Sequence, residues 1–162
     1  MDGIAMPTFL FGPPKKSDPV IGLAAGQTSA GVGRRRIKQA ARRVLIVEDE
    51  AMIAGLIESI LSGAGWSVVG PVATLERAVE TIERERLDAA LLDVRINGHD
   101  AYAVADVLMR RGIPFVFISG FTRKQMPPGY RDCAHIAKPF TPQAILARLE
   151  EVVGRGRRQP NR

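Results

Sequence analysis

The sequence predicts an α/β domain built on a parallel five-stranded sheet with helices on both faces. Short, almost uninterrupted apolar runs recur from Val44 onward, and between them apolar residues return every three or four positions. The first pattern suits strands buried on both faces, and the second suits amphipathic helices. A third observation concerns where the runs stop. They end in Glu48-Asp49, in Asp93, in Ser119 and in Lys138, polar side chains at the tips of apolar segments.

Val44–Val47 reads as the first strand. Met52, Ile53, Leu56, Ile57, Ile60 and Leu61 then trace a helix that stops near Gly63 to Gly65. Residues 66–72 form the second strand. Thr74 is the N-cap of a helix carrying Leu75, Ala78, Val79 and Ile82, with Arg77 and Glu80 outward. The third strand spans 87–94, followed by an Asn97-Gly98 turn and a helix with Tyr102, Val104, Ala105, Leu108 and Met109. Residues 113–119 are the fourth strand. Pro127-Pro128-Gly129 limits any helix starting at Thr122 to about one turn, because proline lacks the donor that a helix interior needs. A short strand at 133–137 and a helix at 141–153, with Thr141 as cap and Pro142 in its first position, complete the pattern. Alternation of strands and helices implies right-handed crossovers, so all strand C-termini lie along one edge.

Charge divides the chain into three parts. Residues 1–43 hold eight Lys/Arg against two acids, residues 44–153 eleven against fifteen, and residues 154–162 four against none. The formal charge of +6 therefore belongs to the two ends. Residues 1–42 are rich in Gly, Pro, Ala and basic side chains without an apolar period, and are expected to be a disordered basic extension apart from a short helix near 34–43. The domain proper is expected at 43–153 and a basic tail at 154–162. An acidic folded part without a recognition-helix pattern argues against nucleic acid as the main partner, although the basic ends keep an anionic surface as the competing reading. The single Cys133 excludes an internal disulfide and suits a reducing compartment. No apolar stretch approaches the roughly 18 residues of a membrane span. The N-terminus lacks the basic region and apolar core of a secretory signal, so a cytoplasmic location is expected.

A carboxylate at the end of a buried strand needs a partner or a task, since a buried, unpaired charge is costly. Asp93 is in that position. Glu48 and Asp49 converge on the same edge, and three carboxylates in close range call for shared protons or a hard divalent cation such as Mg²⁺. Lys138 and the Ser119 hydroxyl would complete a pocket for a phosphoryl group. Singly, each residue has a plainer reading: the acids as a helix start, the lysine as a solvated side chain, Ser119-Gly120 as a turn. Cys133 and His135 could share a strand face, but two ligands fall short of a structural metal site.

With these five residues in this order, the segment 43–153 resembles the receiver domain of bacterial two-component response regulators. The resemblance implies a flavodoxin-like (βα)₅ three-layer sandwich of strand order 2-1-3-4-5 with a shortened fourth helix. It also implies that Asp93 is the phosphoacceptor for a sensor histidine kinase or phosphotransfer protein. Glu48, Asp49, Asp93 and the main-chain carbonyl of Arg95 would hold Mg²⁺. Ser119 would be the hydroxyl switch residue, and Lys138, before Pro139, the phosphoryl-binding lysine. Receivers commonly carry an aromatic switch residue three positions before that lysine, where this chain has His135. Ile113 to Phe121 and the broken fourth helix resemble single-domain receivers with a Phe-x-Thr-Gly motif, with Ser119 in place of Thr. That subclass implies a flexible segment from Thr122 to Tyr130.

The expected role is thus a stand-alone phosphoacceptor, not an enzyme in the ordinary sense, acting by protein contact as shuttle, sink or adaptor toward another regulator. Met52 and Leu56, one turn apart and surplus to a single buried stripe, are candidates for kinase docking together with Pro139, although both could be core. Two readings compete. Phosphorylation could control binding of the basic arms to nucleic acid or anionic lipid. A metal-dependent phosphohydrolase is disfavoured, because no acid stands two residues after Asp93.

Overall fold

Five parallel strands form the centre of the domain: β1 (Arg43–Val47), β2 (Ser67–Val72), β3 (Ala89–Asp93), β4 (Phe115–Ser119) and β5 (His135–Ala137). The computed structural model describes residues 40–156, so most of the extension expected at 1–42 and the tail beyond Gly156 lie outside the described residues; where the short helix expected near 34–43 is described, residues 40–42 are not helical and Arg43 already belongs to β1. The sheet order is β2-β1-β3-β4-β5, with Ile46 beside Leu91, Leu92 beside Phe117 and Ile118 beside Ile136. This is the flavodoxin-like order expected from the sequence.

Strand alternation explains how one sheet serves two cores. Leu45, Val47, Ala90, Leu92, Phe115 and Phe117 face the helices α2 (Leu75–Arg84) and α3 (Tyr102–Arg110). Val44, Ile46, Ala89, Leu91, Val116 and Ile118 face α1 (Ala51–Gly63) and α4 (Pro142–Gly156). Each helix returns a matching stripe: Ala54, Ile57 and Leu61 on α1, Ala78 and Ile82 on α2, Val104, Ala105 and Leu108 on α3, and Ile145, Leu149 and Val153 on α4. Each large aliphatic side chain taken fully out of water contributes about 1.5–3 kcal/mol. Thr74 and Thr141 cap α2 and α4 by accepting from Arg77 N and Ala144 N, both at 3.2 Å.

The boundaries differ from the sequence reading in ways that have local causes. Leu87 and Asp88 precede β3 instead of starting it. Asp88 bonds Arg43 through its side chain, which accepts Arg43 N at 2.8 Å, and through its own N–H, which donates to Arg43 O at 2.8 Å. Cys133 and Ala134 precede β5, since Cys133 N closes a turn on Tyr130 O at 3.1 Å. The last helix runs past Val153 to Gly156. After β3 the chain forms a small antiparallel hairpin, Arg95–Ile96 with His99–Asp100, that the sequence reading took as a simple turn. Its tip, Asn97 at φ 50° and Gly98 at φ 80°, has the two positive φ values of a type I′ turn.

In place of a fourth crossover helix stand two single 3₁₀ turns, Arg123–Gln125 and Pro128–Tyr130. Thr122 N donates to Gln125 Oε1 at 2.8 Å, and Gln125 N donates to Thr122 O at 3.0 Å. Two side chains anchor the segment to the domain. Met126 is 1% exposed in the core beneath α2 and α3. Tyr130 stacks on Tyr102 with ring centroids 4.5 Å apart and donates its hydroxyl to Asp106 Oδ1 at 2.8 Å, while Phe117 meets both rings edge-on. Among the described residues no helix is long and apolar enough to cross a membrane.

Met126→Ala should therefore destabilise the domain by about 2–5 kcal/mol, the range for truncating a buried methionine. Urea unfolding measures this, and a loss below about 0.5 kcal/mol, typical of surface substitutions, would show that Met126 is not a core residue.

Candidate phosphoacceptor site

The strand alternation that sorts the core also builds the site. Glu48 continues the parity of Val44 and Ile46, Asp93 that of Ala89 and Leu91, and Lys138 that of Ile136. All three emerge on the α1/α4 side of the sheet's C-terminal edge. Glu48 is 2% exposed and Asp93 9% exposed. Lys138 donates to both, with Nζ at 2.6 Å from Asp93 Oδ2 and 2.9 Å from Glu48 Oε2. Glu50 stands at the fringe, 3.9 Å from the same ammonium.

Three of the four other carboxylate oxygens take main-chain donors. Asp93 Oδ1 accepts Arg95 N at 3.1 Å, Glu48 Oε1 accepts Glu50 N at 3.1 Å, and Asp49 Oδ2 accepts Asn97 N at 2.9 Å. One carboxylate oxygen from each of Glu48, Asp49 and Asp93 lies within 4.8 Å of the others. Among the described residues Lys138 is the one close ammonium for Glu48 and Asp93, and Asp49 has none, so the cluster is short of positive charge. Burial pushes the Glu48 carboxyl above its ordinary range, against the hydrogen bond from Lys138. Burial pulls Lys138 down, but its bonds to Asp93 and Glu48 outweigh this and raise it. The two directions differ in cause: burial dominates at Glu48, and the carboxylate partners dominate at Lys138. The donor set, three oxygens without histidine or cysteine, fits a hard divalent cation.

The other expected residues sit as follows. Ser119 is 1% exposed at the end of β4, and its Oγ accepts Phe121 N at 3.0 Å. The Arg95 side chain turns away toward Gly98 O and lies 4.0 Å from Asp100. Met52 and Leu56 are 89% and 53% exposed on α1, so neither is core, and Pro139 is exposed beside Lys138. Asn97 and its main-chain bond to Asp49 escaped the sequence reading, which saw only a turn there.

His135 is half-buried on β5, and its Nε2 has no hydrogen-bond partner among the described residues. Burial lowers its pKa, with the charges of Arg123 and Arg148 adding and the Phe121 backbone opposing. The fold thus favours neutral imidazole, and the stability this contributes is present above the ordinary value of 6.5 and lost as pH falls through the folded value. Relative to His135→Phe, the wild type should lose stability on acidification by up to about 1.4 kcal/mol per pH unit, read by urea unfolding at about pH 8 and about pH 5. A pH-independent difference would contradict it. Lys138→Met should cost about 3 kcal/mol by leaving two buried carboxyl groups without their cation, with the unfolding midpoint as the measure.

Comparison with known proteins agrees with this geometry. The family profile of the response regulator receiver domain matches residues 44–150. The chain is 31% identical over 120 residues to the transcriptional regulatory protein PdtaR of Mycobacterium tuberculosis, covering 72% of this chain and 58% of PdtaR. It thus spans little more than half the length of that curated relative. Among solved structures, SdrG from Sphingomonas melonis Fr1 is 37% identical with a TM-score of 0.60, covering 67% of this chain and 96% of SdrG. The receiver domain of the sensor histidine kinase PA1611 from Pseudomonas aeruginosa PAO1, which has a magnesium ion coordinated in its active-site cleft, is 27% identical with a TM-score of 0.59, covering 71% of this chain and 99% of that one. With the strand order, the acidic cluster and the profile match in accord, the chain belongs to the response regulator receiver domain family.

Proposed function

We propose that residues 43–153 form a receiver that accepts a phosphoryl group on Asp93 in two-component phosphorelay signalling. The donor is a sensor histidine kinase or a phosphotransfer protein, and the output is contact with another protein, as shuttle, sink or adaptor. The observation that carries this reading is the Asp93 carboxylate, 9% exposed, 2.6 Å from Lys138 and grouped with two further acids at the sheet edge. Structural ion pairs alone do not require three clustered acids around one lysine.

Glu48, Asp49 and Asp93, with the Arg95 main-chain carbonyl, are the residues that would hold Mg²⁺. When bound, the ion supplies positive charge to the phosphoryl oxygens. An Asp93 oxygen attacks phosphorus in line as the phosphorus–nitrogen bond of the donor's phosphohistidine breaks, and the imidazole leaves with the electron pair. Lys138 shifts part of its hydrogen bonding from the carboxylates to a phosphoryl oxygen. The Ser119 hydroxyl, 3.0 Å from Phe121 N, exchanges that contact for the phosphoryl group and carries the start of the following segment with it. Exposed Met52 and Leu56, one helical turn apart, and exposed Pro139 offer an apolar docking surface beside the site for the kinase. A cytoplasmic setting follows from that donor.

Incubation with a panel of ³²P-labelled histidine kinases tests the proposal. Wild-type protein should acquire hydroxylamine-labile label in the presence of Mg²⁺, and Asp93→Asn should acquire none while keeping its circular dichroism spectrum. Undiminished labelling of Asp93→Asn would overturn the assignment.

A further inference from the structure

Asn97 is the one non-glycine residue with a positive φ among the described residues, and it uses both its amides. Its main-chain N–H donates to Asp49 Oδ2 at 2.9 Å, and its side-chain Nδ2 donates to Ala73 O at 2.7 Å. Asp49 follows β1, Ala73 follows β2, and Asn97 stands at the tip of the hairpin after β3. One residue therefore ties together the ends of three adjacent strands. The hairpin is further closed by the Arg95 guanidinium on Gly98 O.

Asp49 is the least buried acid of the cluster and, unlike Glu48 and Asp93, takes no hydrogen bond from Lys138. Its Oδ2 accepts from the Asn97 main-chain amide. A partly exposed aspartate can change rotamer, and a fixed donor on one oxygen selects an orientation in which a carboxylate oxygen lies within 4.8 Å of those of Glu48 and Asp93. The donor is itself fixed only if the hairpin tip is held. The type I′ turn holds it in part, and any residue tolerant of positive φ could supply that. The bond to Ala73 O is specific to a side-chain amide at this length.

We propose that Asn97 is a positioning residue for the divalent cation: its side-chain tether to Ala73 aims its main-chain N–H at Asp49 and so presets that carboxylate for the ion. The inference rests on the reading of Glu48, Asp49 and Asp93 as the Mg²⁺ site. It separates two roles at one position, turn former and tether, and only the tether requires asparagine.

Asn97→Gly keeps the turn and removes the tether, and Asn97→Ala removes the tether and adds a positive-φ cost. Isothermal titration of Mg²⁺ into the full-length chain should show affinity lowered about 10-fold in Asn97→Gly and at least as much in Asn97→Ala, the scale of effect for outer-shell partners of a metal ligand. Phosphorylation by phosphoramidate should show a matching rise in the Mg²⁺ concentration for half-maximal rate, with the maximal rate at saturating Mg²⁺ unchanged. A merely structural turn residue would leave Asn97→Gly at wild-type affinity, and that result overturns the inference. Absence of Mg²⁺ binding by the wild type, or undiminished binding by Asp49→Asn, overturns the underlying site and the inference together.

Discussion

One ammonium shared by two buried carboxyl groups is the interaction on which the site depends. Lys138 reaches Asp93 and Glu48 at once, and it can do so because three parallel strands end on one edge with the same parity. A parallel sheet is costly to assemble, since each neighbouring strand requires a crossover. It returns an edge where residues far apart in sequence, 90 positions for Glu48 and Lys138, meet within hydrogen-bonding distance. The charge imbalance is not a defect of the fold. A cluster with fully balanced charge would have little use for a cation or a phosphoryl group.

Much of this was legible in the residues themselves. Val44 to Val47 and Phe115 to Ser119 read as strands because apolar runs of that length, ended by polar residues, have little else to become. Thr74 and Thr141 announced their helices through capping chemistry that acts within three residues. Asp93, the pair Glu48-Asp49, Ser119 and Lys138 stood out because each closes an apolar run with polar chemistry. The hairpin after β3 did not, since strands of two residues are too short to display a period. Asn97 was hidden for a different reason: a main-chain donor carries no side-chain signature, and its acceptor lies 48 positions away. Met126 was masked by the polar and proline-rich residues around it. Met52 and Leu56 fit the apolar period of α1, and only three-dimensional packing reveals that Ala54, Ile57 and Leu61 suffice to cover the sheet.

The segment between β4 and β5 departs most from a regular βα unit. Two isolated turns replace a helix, yet Tyr130 on Tyr102, with Phe117 edge-on to both, joins the segment to β4 two residues before Ser119. An aromatic path from β4, two residues before the hydroxyl position, to the partly exposed Tyr130 therefore exists in the chain, although His135 occupies the position that the family resemblance reserves for an aromatic. The contact runs through α3 instead of β5.

Met126 gives that surface an additional property. Its side chain belongs to the same packed interior as Leu92 and Leu108, so any rearrangement that lifts residues 123 to 130 outward must also open a void in the middle of the domain. Readiness of this face to change shape and resistance of the whole protein to heat are consequently one thermodynamic quantity seen from two sides. A lineage adapting to a warmer habitat by filling its interior would stiffen this face in the same step.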